Sequence, residues 1–291
     1  VCQAQEDTTR KTTDSLAADS VHLDTVITAR LSDVTLHKGM TKDVSTEVYK
    51  IKPAVDIPIV VAATAFSLYG FSEIYNKPSS TEAEINRLRM RDINGFDRWA
   101  ADQYSEKAVK HSDALFYGAM PAPFLLFIDK KIRKDALKVI FLYWETMGVT
   151  GIYYTGLPMV WDRYRPLAYN PAVPMHERTS GNAKNSFLAG HVALVATSTF
   201  FIAKVYSDYN PDSKVKWLFY TGASAATLAT GYLRHRGGKH FPSDIVAGTV
   251  MGTLTGILVP HFHKHRIIKN PNLSIRPFTG ESHGLAIVYK L

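Results

Sequence analysis

The chain has 291 residues, enough for one large domain or two small ones, and 46% of them are hydrophobic, which supports a sizeable core and excludes disorder over most of the length. A formal charge of +8 and a pI near 9.3 favour an anionic partner. No nucleic-acid-binding motif accompanies that charge, so nucleic acid is set aside in favour of phosphorylated small molecules or acidic lipid surfaces. The single cysteine, Cys2, excludes an internal disulfide framework and a cysteine-rich metal site.

Residues 1–53 are rich in Thr, Ser, Asp and Lys without apolar periodicity and read as an N-terminal extension, partly disordered. Within it, Cys2-Gln3-Ala4 has the small-x-small form that precedes a signal-peptidase cut. From Val55 the texture changes to weakly charged apolar stretches at roughly 54–72, 111–128, 136–161, 186–206, 216–234 and 244–262, read as six apolar helices. Residues 81–110 mix charge with spaced Ile, Leu, Phe and Trp, as an amphipathic surface helix would. Residues 267–291 form a short polar tail that ends in strand-like alternation at Leu285, Ile287 and Tyr289.

The six stretches fall just short of the roughly 20 residues that a spanning helix wants, so length leaves membrane and soluble bundles both open. Loop charge favours the membrane. Lys130, Lys131, Arg133 and Lys134 precede the third stretch, and His263-Lys264-His265-Arg266 follow the sixth, marking one cytoplasmic side. A conflict remains at the start: a spanning first stretch preceded by Lys50 and Lys52 puts the N-terminus inside, whereas a cleaved signal puts it outside. Asp56 and Pro58 would also allow that stretch to dip without crossing.

Three segments place phosphate-competent groups beside helix ends, all on the side away from the basic loops. In Asp162-Arg163-Tyr164-Arg165-Pro166, two guanidiniums suit a bidentate grip on phosphate, or else cap a helix. In Asn185-Ser186-Phe187-Leu188-Ala189-Gly190-His191, glycine permits close backbone approach where free amides attract anions, and His191 could protonate a leaving alkoxide. The third, Arg234-His235-Arg236-Gly237-Gly238-Lys239-His240-Phe241-Pro242-Ser243-Asp244, opens the last helix, with Ser243 or its neighbour as N-cap. Asp244 would hold one ring nitrogen of His240 and leave the other basic. The chain also offers metal donors in His235, His240 and Asp244, and in the alternating His261, His263 and His265. An excess of arginine repels cations, so no metal and no cofactor is expected.

These segments resemble the type-2 phosphatidic acid phosphatase (PAP2) superfamily, marked by Lys-x6-Arg-Pro, Pro-Ser-Gly-His and Ser-Arg-x5-His-x3-Asp in that order. Arg165-Pro166, Gly190-His191 and Arg234, His240 and Asp244 match with the last gaps intact. The family lysine falls at Pro158, and the serines fall at Ala189 and Leu233. The resemblance implies an all-α, six-helix PAP2-type bundle, membrane-embedded, over residues 54–266, with Arg163 supplying the cation that the missing lysine would have given. It further implies a phosphatase with His240 as nucleophile, Asp244 stabilising its imidazolium and His191 as general acid. Arg165, Arg234, Arg163, Gly190 and Ala189 would bind phosphate, the last through its backbone N–H. The implied substrate is a lipid phosphate of the bilayer, such as lipid A, polyprenyl diphosphate or phosphatidylglycerol phosphate. The site would face the periplasm from a bacterial inner membrane; a soluble periplasmic acid phosphatase and a non-catalytic lipid-phosphate binder are the alternatives.

Overall fold

The computed structural model describes residues 47–265, 273–279 and 283–289. The expected extension up to residue 46, with its Cys2-Gln3-Ala4 signal, lies outside the described residues. Among those described, six helices of at least 14 residues build the fold: α1 (Pro53–Tyr75), α2 (Glu106–Ala119), α3 (Ala136–Val160), α4 (Gly190–Tyr209), α5 (Lys216–Arg236) and α6 (Pro242–His263). The segment 273–289 is an antiparallel hairpin, β1 (Leu273–Thr279) and β2 (His283–Tyr289), paired from Leu273–Tyr289 to Thr279–His283.

Helix α4 is the centre. Its residues Val192 to Ser198 are buried without a break, so it is enclosed all round, by α2, α3, α5 and α6. The contact with α6 is close because Gly248, Gly252 and Gly256 lie one turn apart on one face of α6. A Cβ at these positions would stand 2.7, 2.2 and 2.6 Å from the carbonyl oxygens of Ala189, Ala193 and Thr197. Small residues at this spacing let helix backbones touch. Helix α1 packs on α3 in the same manner, with Ala63 against Gly148 and Ser67 against Gly151.

Two elements differ from the sequence expectation. The stretch 111–128 is α-helical only to Ala119; Pro121 and Pro123 then convert it to a 3-10 run, Ala122–Ile128, because proline cannot donate within a helix. Residues 81–110 hold the short helix Glu82–Arg87, two 3-10 turns and the start of α2, rather than one amphipathic helix. Asp56 and Pro58, in contrast, do not break α1, which is continuous.

At one end of the bundle Lys50 N–H donates to the His263 carbonyl (2.8 Å), and Asn210 Nδ2 donates to Asp129 Oδ2 (2.7 Å). The basic loops therefore gather there with the start of α1. At the other end, Asn185 Nδ2 donates to the Ile74 carbonyl (2.8 Å), bringing the end of α1 to the motif segments. So α1 runs the whole depth. Its 23 residues, like the 22 of α6, are long and apolar enough to cross a bilayer, with mean hydropathies of 1.7 and 1.5. Val55, Val61 and Leu68 on α1, Leu137 and Ile152 on α3, and Val250, Leu254 and Leu258 on α6 are exposed. An apolar surface of this extent marks a face that meets lipid or another protein.

The α4–α6 contact predicts opposite outcomes for two glycine substitutions. Gly252→Ala should destabilise the detergent-solubilised protein by about 1–3 kcal/mol through overpacking. Gly222→Ala, on α5 with nothing within 4 Å of the new Cβ, should leave the melting temperature unchanged or raise it. Thermal unfolding of both variants checks this.

Candidate active site

The first and second motif segments pair like strands: Arg163 N–H donates to the Lys184 carbonyl (3.0 Å), and Ser186 N–H to the Arg163 carbonyl (3.0 Å). Arg165 N–H follows onto the Ala183 carbonyl (2.8 Å). Its side chain, buried, turns back to give Nε–H to the Asn185 carbonyl (3.2 Å). Pro166 then begins a single turn, Pro166–Tyr169, since proline at the first helical position loses no hydrogen bond.

The third segment leaves α5 at Gly237 and turns at Gly238, whose φ of +64° favours glycine and whose missing side chain admits the Gln103 carbonyl. That turn presents Lys239 and His240. The N-cap of α6 is Phe241, with Pro242 in the first turn, two residues before Ser243.

Arg165, Gly190, His191 and His240 line one pocket, together with Tyr154 and Asn185. His240 is buried and its Nδ1–H donates to the Ser186 carbonyl (2.7 Å), which leaves Nε2 with a free lone pair. Burial, then the charges of Arg165 and Arg234, push its pKa well below the ordinary histidine value, so the ring is neutral. His191, one residue into α4, stacks on Phe116 (4.1 Å between centroids) and places Nε2 3.2 Å from Asp113 Oδ1. Gly190 makes room for the Tyr154 ring, which would lie 2.0 Å from a Cβ there. Arg234 Nη1 donates to Asp113 Oδ1 (3.1 Å) and Ser112 Oγ (3.3 Å), while its buried Nε–H has no acceptor among the described residues.

Three expected roles change. Asp244 does not hold His240, since its Oδ2 lies 4.0 Å from Nδ1 and the Ser186 carbonyl has taken that bond. Its carboxylate accepts instead from Ser186 Oγ (2.6 Å), from Phe241 N–H (2.9 Å) and from Arg163. Arg163 is accordingly committed behind the pocket, with Nη2 on Asp97 Oδ2 (2.7 Å). The Ala189 N–H, expected to meet phosphate, donates to the Asp244 carbonyl (3.2 Å) because α6 approaches α4 so closely.

Asp113, Asp97, Ser186 and Lys239 join the site without a role that their sequence pattern foretells. Asp97 is fully buried; burial raises its pKa, but hydrogen bonds from Ser243, Asn94 and Arg163 outweigh this and hold it below the usual carboxylate range. Lys239 has its nearest ion partner, Glu177, at 4.0 Å. Burial first, then Arg165 and Arg234, lower its pKa to about 8. The family lysine falls at Pro158, whose carbonyl accepts from Lys77 Nζ (2.5 Å), but Lys77 is also paired with Asp162 (2.5 Å). Lys239, in the cationic loop itself, is the more available ammonium. The only signal for it was its place beside His240.

The sequence pattern of the PAP2 superfamily matches residues 139–268. No curated protein is detectably similar in sequence. A transmembrane PAP2-type phosphatidylglycerolphosphate phosphatase from Bacillus subtilis is similar in structure at 20% identity and a TM-score of 0.42, over 70% of this chain and 94% of that one.

With Lys239 titrating near 8, an anion held by it should bind more weakly as pH rises through that value and the ammonium is lost. Inorganic phosphate affinity, followed by isothermal calorimetry, should fall between pH 7 and 9 in the wild type. In Lys239→Arg the fall should vanish, since guanidinium keeps its charge; in Lys239→Gln affinity should be low, by about tenfold, across the whole range.

Proposed function

We propose, from the match of residues 139–268 to the sequence pattern of the PAP2 superfamily, that the protein is a phosphatase that hydrolyses the phosphate monoester or diphosphate of a membrane lipid through a phosphohistidine, without metal in the chemical step. His240 Nε2 attacks phosphorus in line, forming an N–P bond as the bond to the leaving oxygen breaks. His191 gives that oxygen its proton. Water then attacks the phosphohistidine, His191 takes a proton from it, and the N–P bond breaks to release inorganic phosphate and neutral His240. Arg165, Arg234 and Lys239 neutralise the phosphoryl oxygens, and Asp113 orients His191. Asp244 acts one layer back: with Ser186 it fixes the carbonyl that sets the His240 tautomer.

The observation that carries the lipid reading is an apolar cleft beside this pocket. It has a volume of about 200 Å³ and is lined by Leu68, Phe71, Phe116, Met120, Trp144 and Met147, among others. Tyr154 belongs to both cleft and pocket, and Phe116 is the ring on which His191 stacks. A phosphate at His240 would thus have an apolar surface for its acyl or prenyl chain. The basic loops at the far end support a cytoplasmic placement there and an outward-facing site. In a bacterium this is the periplasmic face of the inner membrane, where lipid A, polyprenyl diphosphate and phosphatidylglycerol phosphate are candidate substrates.

Phosphate release from lipid phosphates in mixed micelles should exceed release from p-nitrophenyl phosphate by at least about 100-fold in kcat/KM, as expected when chain binding contributes to catalysis. His240→Ala should abolish both, by about 1000-fold or more. Equal turnover of the soluble ester would sink the lipid assignment, and unchanged turnover in the variant would remove the nucleophile. Leu68→Trp, at an exposed cleft position, should raise KM for the lipid while leaving the soluble ester untouched.

A further inference from the structure

At the end of the bundle away from the phosphate pocket, three side chains from three helices converge: Asp56 in the first turn of α1, Glu145 in α3 and His263 at the close of α6. One ligand-capable atom from each lies within 4.8 Å of the others. His263 Nε2 stands 3.3 Å from Glu145 Oε2 and 3.5 Å from Asp56 Oδ2. Asp56 and Glu145 are each only 5% exposed, and Glu145 Oε2, fully enclosed, accepts no hydrogen bond from the described residues.

We propose that Asp56, Glu145 and His263 bind a divalent first-row metal ion, of which Zn²⁺ is the representative, as a structural site that ties α1, α3 and α6 together. Ligands about 2.1 Å from a tetrahedral ion stand about 3.4 Å apart, the separation that His263 keeps from both carboxylates. The outer contacts are those of a ligating set. His263 Nδ1–H donates to the Val259 carbonyl (2.8 Å), which aims the Nε2 lone pair at the carboxylates, and Asp56 Oδ2 is oriented by Lys52 N–H (2.5 Å). A divalent cation with neutral imidazole balances the two carboxylates without any of the three groups taking up a proton, and burying an unbalanced charge is expensive. One imidazole with two carboxylates suits Zn²⁺, Mn²⁺ or Fe²⁺ and lacks the oxygen-only shell of Ca²⁺.

The test is metal content and stability of the full chain in detergent, stripped with a chelator, dialysed and reloaded with Zn²⁺ alone. One Zn²⁺ per chain by elemental analysis, with a melting temperature raised by several degrees, is expected. Glu145→Gln and Asp56→Asn should each lower the affinity at least tenfold, and His261→Asn, which removes the exposed neighbouring imidazole, should not. Should a carboxylate variant fail to fold, Co²⁺ loaded into wild type and His263→Asn provides the second measurement: visible d–d bands of a low-coordinate ion in the former and none in the latter. No bound Zn²⁺ after reloading, or equal Zn²⁺ binding by Glu145→Gln and His261→Asn, would overturn the proposal and leave a proton-bridged triad.

Discussion

The buried Asp244 carboxylate is the interaction on which the site depends. It accepts from Arg163 in the first motif segment, from Ser186 in the second and from the Phe241 amide in the third. Three stretches, the last parted from the second by the whole of α4 and α5, are thus fastened to one group at the start of α6. Arg163 continues the network to Asp97, which also receives both the amide and the hydroxyl of Ser243. A buried acid with several charge-assisted bonds is strongly committed to its geometry, because losing one partner leaves the others uncompensated. The rigidity of the His240 ring derives from this arrangement, since the Ser186 whose hydroxyl binds Asp244 also supplies the carbonyl that holds Nδ1.

The division of labour among the cations follows. Arg163 lies where it balances two carboxylates, and Arg165, Arg234 and Lys239 depress one another's pKa values or that of His240. Arg165 is lowered to about 10 by burial and then by Arg234. Unlike charges are sparse on the pocket side, with Asp113 and Glu177 at its edge. Positive groups gathered in a dry place repel one another, so the same cluster that is costly to fold is suited to the phosphate dianion of the proposed reaction.

The long apolar helices and the end of the bundle that carries the motifs were legible in the sequence, because apolar run length and the Arg234, His240 and Asp244 spacing are local properties. So was the strand at 283–289, from the alternation of Leu285, Ile287 and Tyr289. The partners of those residues were not. Asp97 lies 66 positions before Arg163 in a loop whose composition imitates a surface helix, and nothing in the spacing of Arg163 and Arg165 tells that one guanidinium turns to Asp97 and the other to the pocket. The Ala189 amide was misjudged for a related reason: its engagement depends on how near α6 comes, which three glycines in another helix decide. The metal-like cluster was equally hidden, since Asp56 reads as an interruption in an apolar run and His263 as one of three alternating histidines.

The apolar cleft between α1, α2 and α3 carries a kinetic consequence. Its exposed wall at Leu68 is continuous with the apolar belt of α1, so a hydrocarbon chain would enter sideways from the bilayer while the polar head reaches His240. Encounter then becomes a search in two dimensions. For the proposed lipid substrate, the concentration that governs saturation would be the mole fraction in the membrane plane, and diluting the substrate with inert lipid would slow turnover even when the amount per volume of solution is unchanged.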